Sequence, residues 1–292
     1  MSSQYAAPIV GWYQRNARDL PWRRPDASPW SILVSEIMLQ QTQVARVLPA
    51  HAAWLERWPT PSALAEAAPG DAVRQWGRLG YPRRAIRLHA IAKQLTEQHD
   101  GRVPSSAKTL AELPGIGSYT AAAVASFAFG QREPVLDTNV RRVLGRLVTG
   151  QALPGQATSV AERRMAESLL PPDGRQAARW SVAVMELGAL VCSVARPACE
   201  RCPVAELCRW RLSGSPPSPP HRPGVRYEGT DRHCRGTLLA VLRAAPGAVA
   251  AQELAGAWPD PVQRDRSLAG LIADGLVTQL PDGSLTLPTA SA

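Results

Sequence analysis

Apolar residues recur along most of the chain at intervals of three and four, the period that lays side chains on one face of a helix. Residues 5–19 read as a short amphipathic helix carrying Trp12 and Tyr13, stopped before Leu20-Pro21-Trp22 because proline brings no amide hydrogen to the ladder. Ser28-Pro29 restarts a helix, with serine as N-cap and proline at the first helical position. The run from Trp30 to Val44 that follows is apolar almost all round, so it belongs in a core. Further helices are predicted at 61–67, 70–77, 83–98, 106–113, 118–129, 140–148, 158–170 and 176–191.

Serine, proline and glycine then dominate from Arg211 to Gly224, and residues 213–230 read as a stiff, extended Pro-rich linker. Beyond it, helices at 236–244, 251–257 and 262–274 precede two short strands joined at Pro281-Asp282-Gly283. Three helices and a hairpin suggest a winged-helix-like module over residues 231–292, whose third helix carries Arg264 and Arg266 as a DNA-reading helix does, though such modules also dock proteins. The expected class is all-α.

Composition sharpens this picture in three ways. A length of 292 residues suits two domains, or one large core with an appended module, and the abundance of alanine and leucine favours helices. The net charge of +9 resides largely in arginine pairs such as Arg23-Arg24, Arg83-Arg84, Arg141-Arg142 and Arg163-Arg164, for which a polyanion, nucleic acid first, is the natural partner. No stretch approaches 18 uninterrupted apolar residues, so no membrane span is expected, and a cytosolic location follows from the lack of a signal segment.

Candidate chemistry begins with Cys192, Cys199, Cys202 and Cys208, separated by six, two and five residues, in a chain whose remaining cysteine is Cys234. The spacing is not that of a zinc finger and is nearer to a cubane iron–sulfur cluster, which takes one thiolate at each iron. A structural zinc on the same four thiolates and a disulfide cluster are the alternatives. Cys234 beside His233 is too isolated to count as a ligand.

Glu36, flanked by Leu33, Val34, Ile37 and Met38, is expected to lose hydration and to have a raised pKa, the condition for a general acid near neutral pH. An exposed stripe or an arginine partner is the plainer alternative. Gln40, Gln41 and Gln43 follow, amides that are costly at a buried helix end unless they bond something specific. Tyr81, on the turn Gly77 to Pro82, either wedges into a base stack or tucks against the next helix. In Leu113-Pro114-Gly115-Ile116-Gly117 the glycines turn the chain sharply ahead of a long helix, whose first amides suit a phosphate. Asp137 caps a helix start, where it is expected to stay ionised and to face a developing cation. Glu186 reads as a satisfied structural carboxylate more readily than as a second acid.

Taken in order, Leu20-Pro21-Trp22, the block Ser35-Glu36 to Val44, Leu79-Gly80-Tyr81, the hairpin Leu113 to Thr120, Asp137-x-Asn139-Val140 and the cysteine spacing resemble the helix-hairpin-helix base-excision DNA glycosylases with an iron–sulfur cluster, and among them the MutY type. The resemblance covers roughly residues 8–212. It implies two helical lobes, an iron–sulfur domain from 1–22 and 134–212 and a six-helix barrel with the hairpin from 23–133, before the linker and module. It implies a [4Fe-4S] cluster on Cys192, Cys199, Cys202 and Cys208, structural in role. Glu36 then matches the acid that protonates adenine and activates water, Asp137 the carboxylate that stabilises the sugar cation, Asn139 a residue that orients these carboxylates, and Tyr119 an active-site tyrosine. Gln40, Gln41 and Tyr81 match positions that read or wedge beside the opposing base, and Gly115 and Gly117 belong to the phosphate-gripping hairpin.

Related bifunctional endonucleases carry a lysine at the place of Tyr119, so the resemblance implies a monofunctional enzyme acting on double-stranded DNA with adenine opposite 8-oxoguanine or guanine. It implies a nucleoid-associated bacterial monomer, with a repair protein as partner of the terminal module. Removal of thymine or uracil from mismatches, and non-catalytic DNA binding, are the other readings. The chain departs from the pattern at Pro82 and Thr138, and residues 231–292 are too short for the Nudix-like domain of many relatives, leaving a short form similar to actinobacterial ones.

Overall fold

A computed structural model describes residues 3–216 and 226–289; part of the expected linker, 217–225, lies outside the described residues. Along the chain run α1 (Ser3–Asn16), α2 (Pro29–Leu39), α3 (Val44–Arg57), α4 (Pro61–Ala65), α5 (Pro69–Trp76), α6 (Arg83–Gln98), α7 (Ala107–Leu110), α8 (Ser118–Phe129), α9 (Thr138–Leu144), α10 (Val160–Leu169), α11 (Gly174–Leu190), α12 (Arg209–Leu212), α13 (Asp231–Ala244), α14 (Ala251–Ala255) and α15 (Pro261–Ala273). Two short strands follow, β1 (Thr278–Gln279) and β2 (Leu285–Thr286). The all-α class is as expected, and no helix among the described residues is long and apolar enough to cross a membrane.

The described residues fall into two compact units, one within 1–33 and 104–221 and the other within 34–103 and 222–292, with the division inside α2 between Leu33 and Val34. In the first unit α1 lays Tyr5, Ile9 and Trp12 into a core completed by Val140, Leu144, Leu147, Trp180, Val184 and Leu187. Local chemistry fixes where its helices start. Asp137 caps α9, Ser159 and Glu162 form a reciprocal capping box on α10, and Asp173 accepts the Gln176 amide at the start of α11. The helix expected over 140–148 is instead α9 followed by one wide π turn, Gly145–Thr149, which sets Arg146 among backbone carbonyls rather than on the next face of a regular helix.

In the second unit Trp54, Trp58 and Trp76 meet edge to face, with ring centroids 4.7 Å and 5.7 Å apart, between α3 and α5. The helix expected to run from Trp30 through Val44 stops at Leu39, because the chain turns at Gln41 (φ 53°) and restarts at Val44 with Gln43 as N-cap. The new helix, α3, buries Val47, His51 and Trp54 at helical spacing. Within this unit, among the residues of the terminal module, α13 and α15 pack together, β1 and β2 pair antiparallel, and Val249 forms an isolated antiparallel bridge with Leu285. The module is bonded to α5, since Arg74 donates to the Ala245 carbonyl at 2.8 Å, Arg243 to that of Val73 at 2.9 Å, and Gly70 N–H to that of Pro288 at 2.7 Å.

Candidate active site and cysteine loop

Asp137 sits at the N-terminus of α9, its Oδ1 accepting the Val140 amide at 2.6 Å and its Oδ2 the Asn139 side-chain amide at 2.9 Å. Asn139 Oδ1 in turn accepts from Arg142 at 2.7 Å, and the same guanidinium donates to the carbonyls of Gly188 at 2.8 Å and Cys192 at 2.7 Å. One chain of hydrogen bonds thus joins the cysteine loop to the aspartate. Gly188 makes it possible: a Cβ there would stand 2.7 Å from Asn139 Cβ and 3.0 Å from its carbonyl oxygen, inside any permitted contact. Burial pushes the Asp137 carboxyl above the ordinary aspartate range, against the lowering effect of the Val140 and Asn139 hydrogen bonds and the Arg142 charge. Capping alone therefore does not set its ionisation, and nothing in the residues next to Asp137 along the chain signals the opposing burial.

Tyr119, Gly115 and Gly117 lie in the same unit, the glycines in the turn before α8 and Tyr119 on its first turn. Gly115 takes φ 73°, the left-handed conformation that the turn requires, while Ile116 N–H closes onto the Leu113 carbonyl at 3.1 Å. Gly117 is the N-cap of α8, exposed, with open space where a side chain would stand. The first bond of the α8 ladder comes from Ala121 N–H to the Gly117 carbonyl at 3.0 Å, so the amides before Ala121 lie outside that ladder. Tyr119 is half-buried on the first turn.

Glu36 belongs to the second unit and is buried at 6% exposure in the middle of α2, among Val34, Ile37 and Met38. Gln40 and Gln41 form the turn after α2, half-buried and exposed respectively, and Tyr81 is 50% exposed on the turn before α6. The Tyr81 ring also lies 5.3 Å from the Arg84 guanidinium at the start of α6. Gln41 and Tyr81 both have left-handed backbones, φ 53° and 47°, a strained state for residues other than glycine.

The four loop cysteines are free thiols that line one cavity together with Arg146, Trp210 and Arg211. Among the described residues no three His, Cys, Asp or Glu side chains gather as closely as a single metal ion needs. Arg146 is buried at 1% exposure with its guanidinium 4.6 Å from the Trp210 ring; it donates to Cys192 Sγ at 3.4 Å, Ser193 O at 2.7 Å and Val194 O at 3.0 Å. Burial pushes the Cys202 thiol up to about 11, aided by its neighbouring cysteines, and raises Cys199 as well. Thiolates here need a compensating positive centre, which a metal cluster brings. The donor set, four sulfurs around one cavity with the buried Arg146 and the exposed Arg211 beside them, fits an anionic iron–sulfur centre.

Several arginines that look like a polyanion surface in the sequence are structural. Arg23 and Arg18 hold Glu186 at 2.6 Å and 2.7 Å, which makes Glu186 the satisfied carboxylate expected. Arg141 is buried against Glu162 and the carbonyls of Gly155 and Ala157; Arg142 and Arg84 are buried against carbonyls of their own units. In the module, Arg266 is paired with Asp231 at 2.7 Å, and Arg264 with Asp265 and the Ala255 carbonyl, so both arginines of its third helix already have partners.

Residues 34–170 match the family model described as HhH-GPD superfamily base excision DNA repair protein. A Mycobacterium tuberculosis protein named adenine DNA glycosylase is 54% identical over 283 residues, spanning 96% of this chain and 92% of that protein. A solved structure of a thermostable thymine-DNA glycosylase is similar with a TM-score of 0.66 at 27% identity, covering 73% of this chain and 97% of that one. A non-covalent endonuclease III–DNA complex gives a TM-score of 0.61 at 21% identity, covering 73% and 98%, a likeness of fold.

Proposed function

Because the chain belongs to the HhH-GPD superfamily of base excision DNA repair proteins and, within it, to the MutY-type glycosylases, we propose that it hydrolyses the N-glycosidic bond of adenine mispaired with 8-oxoguanine or guanine in double-stranded DNA. The observation that carries this reading is the 54% identity, along almost the whole chain, to a protein named adenine DNA glycosylase. The buried Glu36 and the Asn139-anchored Asp137 supply the two carboxylates that the chemistry asks for.

A base stacked in a duplex is out of reach, so the nucleotide is extruded before reaction. Glu36 protonates the adenine ring, the glycosidic electron pair leaves with the base, and the sugar becomes an oxocarbenium ion. Asp137, held by Asn139, faces that cation as an anion, and Glu36, now deprotonated, takes the proton of the attacking water. Tyr119 stands where related bifunctional enzymes carry a lysine, and the lack of that lysine makes the enzyme monofunctional. The hairpin at Gly115 and Gly117 grips a backbone phosphate, while Gln40, Gln41 and Tyr81 meet the opposing base.

Cys192, Cys199, Cys202 and Cys208 are the residues that would hold a [4Fe-4S] cluster, which would stiffen the loop and take no part in bond breaking. The enzyme acts as a monomer on the bacterial nucleoid. The terminal module offers a surface to a repair protein.

The test is single-turnover base release from duplexes with adenine opposite 8-oxoguanine, guanine or cytosine, and thymine opposite guanine. Fast adenine release opposite 8-oxoguanine and guanine is expected. Release of thymine alone would move the assignment to the second reading, which the likeness to a thymine-DNA glycosylase structure supports.

A further inference from the structure

Two turns of the second unit carry the residues assigned to the opposing base, and one buried guanidinium joins them. Arg84, 5% exposed, stands at the start of α6 with its amide bonded to the Tyr81 carbonyl at 3.0 Å. Its Nη1 is shared among the carbonyls of Ile37 at 2.9 Å, Met38 at 3.0 Å and Gln40 at 2.6 Å, the groups that the end of α2 leaves without helical partners. Its Nη2 donates to Thr42 Oγ1 at 3.0 Å and to the Gly80 carbonyl at 3.1 Å. The Gly80 carbonyl also accepts from the Trp76 indole at 2.9 Å, and the guanidinium lies 5.3 Å from the Tyr81 ring centre.

Every one of these contacts falls on the segment before or after a left-handed residue, Gln41 on one turn and Tyr81 on the other. A non-glycine residue stays in that conformation only when its surroundings over-determine it. Here one side chain with a rigid fork of donors, the geometry that a lysine lacks, is shared by both turns, while Thr42 adds bonds to the Leu39 and Gln40 carbonyls on the first and Arg46 one to the Arg78 carbonyl ahead of the second. We propose that Arg84 is a positioning residue for opposing-base discrimination, locking the Gln40–Gln41 turn and the Gly80–Tyr81 turn into one fixed spacing so that both reach the opposing nucleotide together. The inference rests on the reading of Gln41 and Tyr81 given above. It assigns specificity to a residue that touches no DNA.

The experiment compares wild type, Arg84→Lys and Arg84→Ala in single-turnover release of adenine opposite 8-oxoguanine and opposite cytosine, with melting temperature and iron content recorded. The readout is the ratio of the two rates, which does not depend on the fraction of active protein. In Arg84→Lys the ratio is expected to fall roughly tenfold, the size of one released strained residue, with the iron content unchanged. Arg84→Ala is expected to fall further, and if it fails to accumulate the lysine variant carries the test. A folded Arg84→Lys protein with the wild-type ratio overturns the proposal, since a merely structural arginine lowers stability and leaves the ratio alone. Wild-type protein that releases adenine without regard to the opposing base overturns the assignment of Gln41 and Tyr81, and this inference with it. Wild-type protein that releases no adenine overturns the proposed activity itself.

Discussion

Asp137, half-buried, and Glu186, fully buried, are two carboxylates of the same unit, and their environments drive them in opposite directions. Burial disfavours both anions, but Glu186 receives Arg18 and Arg23 directly and its carboxyl is held down at about 2. Asp137 receives an amide side chain and a helix-start N–H, with its arginine one residue removed behind Asn139, and its carboxyl rises. Direct charge pairing outweighs desolvation; neutral donors do not. A carboxylate saturated by two guanidinium groups has nothing left to offer a reacting sugar, whereas one held by neutral donors keeps its charge available to a passing cation. The difference separates a structural acid from a reactive one without reference to position in the sequence.

Three perturbations test that contrast, the largest first. Asp137→Asn keeps the shape and one acceptor, enough for the Val140 cap, but turns the oxygen that accepts from Asn139 into a donor and removes the charge, so adenine release is expected to fall by at least about a thousandfold while duplex binding persists, measured by single-turnover release and fluorescence anisotropy. Near-normal release by that variant would remove Asp137 from the chemistry.

Glu186→Gln inverts the pattern. It strands Arg18 and Arg23 in a buried site, which costs on the order of 3 kcal/mol and lowers the melting temperature by roughly 5–10 °C, while the release rate per folded molecule stays at the wild-type value. The folded pKa of Glu186, about 2, lies below its ordinary 4.5, so its contribution is fully present above that ordinary value and is lost as pH falls from 4.5 through about 2. Wild type is therefore expected to lose on the order of 3 kcal/mol across that window, and Glu186→Gln to lack that component, read from urea unfolding at a series of pH values.

Asn139→Ala is the gentlest change. It removes a hydrogen bond that lowers the Asp137 pKa, so the carboxyl rises further and the acid limb of the release rate moves to higher pH. An acid limb that stays where the wild type has it would show that Asn139 serves packing alone.

The cysteine set, the Gly115 turn and the Asp137 cap were legible in the sequence because each is written in residues close together in the chain. So were α6 and α8, whose bounds match the periodic pattern residue for residue. The end of α2 was not legible. Gln40 to Gln43 are residues that a helix also accepts, and the guanidinium that takes the Gln40 carbonyl at the turn comes from 44 residues away. Gly188 stands inside an ordinary apolar helix, and only the approach of Asn139 shows why it must be glycine.

The sequence by itself determined the helical class, several helix bounds and the family, and it named the candidates for the chemistry, because caps, periodicity and ligand spacing act over a few residues. The tertiary structure decided which charges are spent and which are free. Arg142 meets the Cys192 carbonyl across 50 positions, and Arg18 meets Glu186 across 168. An arginine looks the same in a sequence whether it faces a phosphate or a ring of carbonyls; only folding brings the acceptor to it, and with that fixes what remains for DNA.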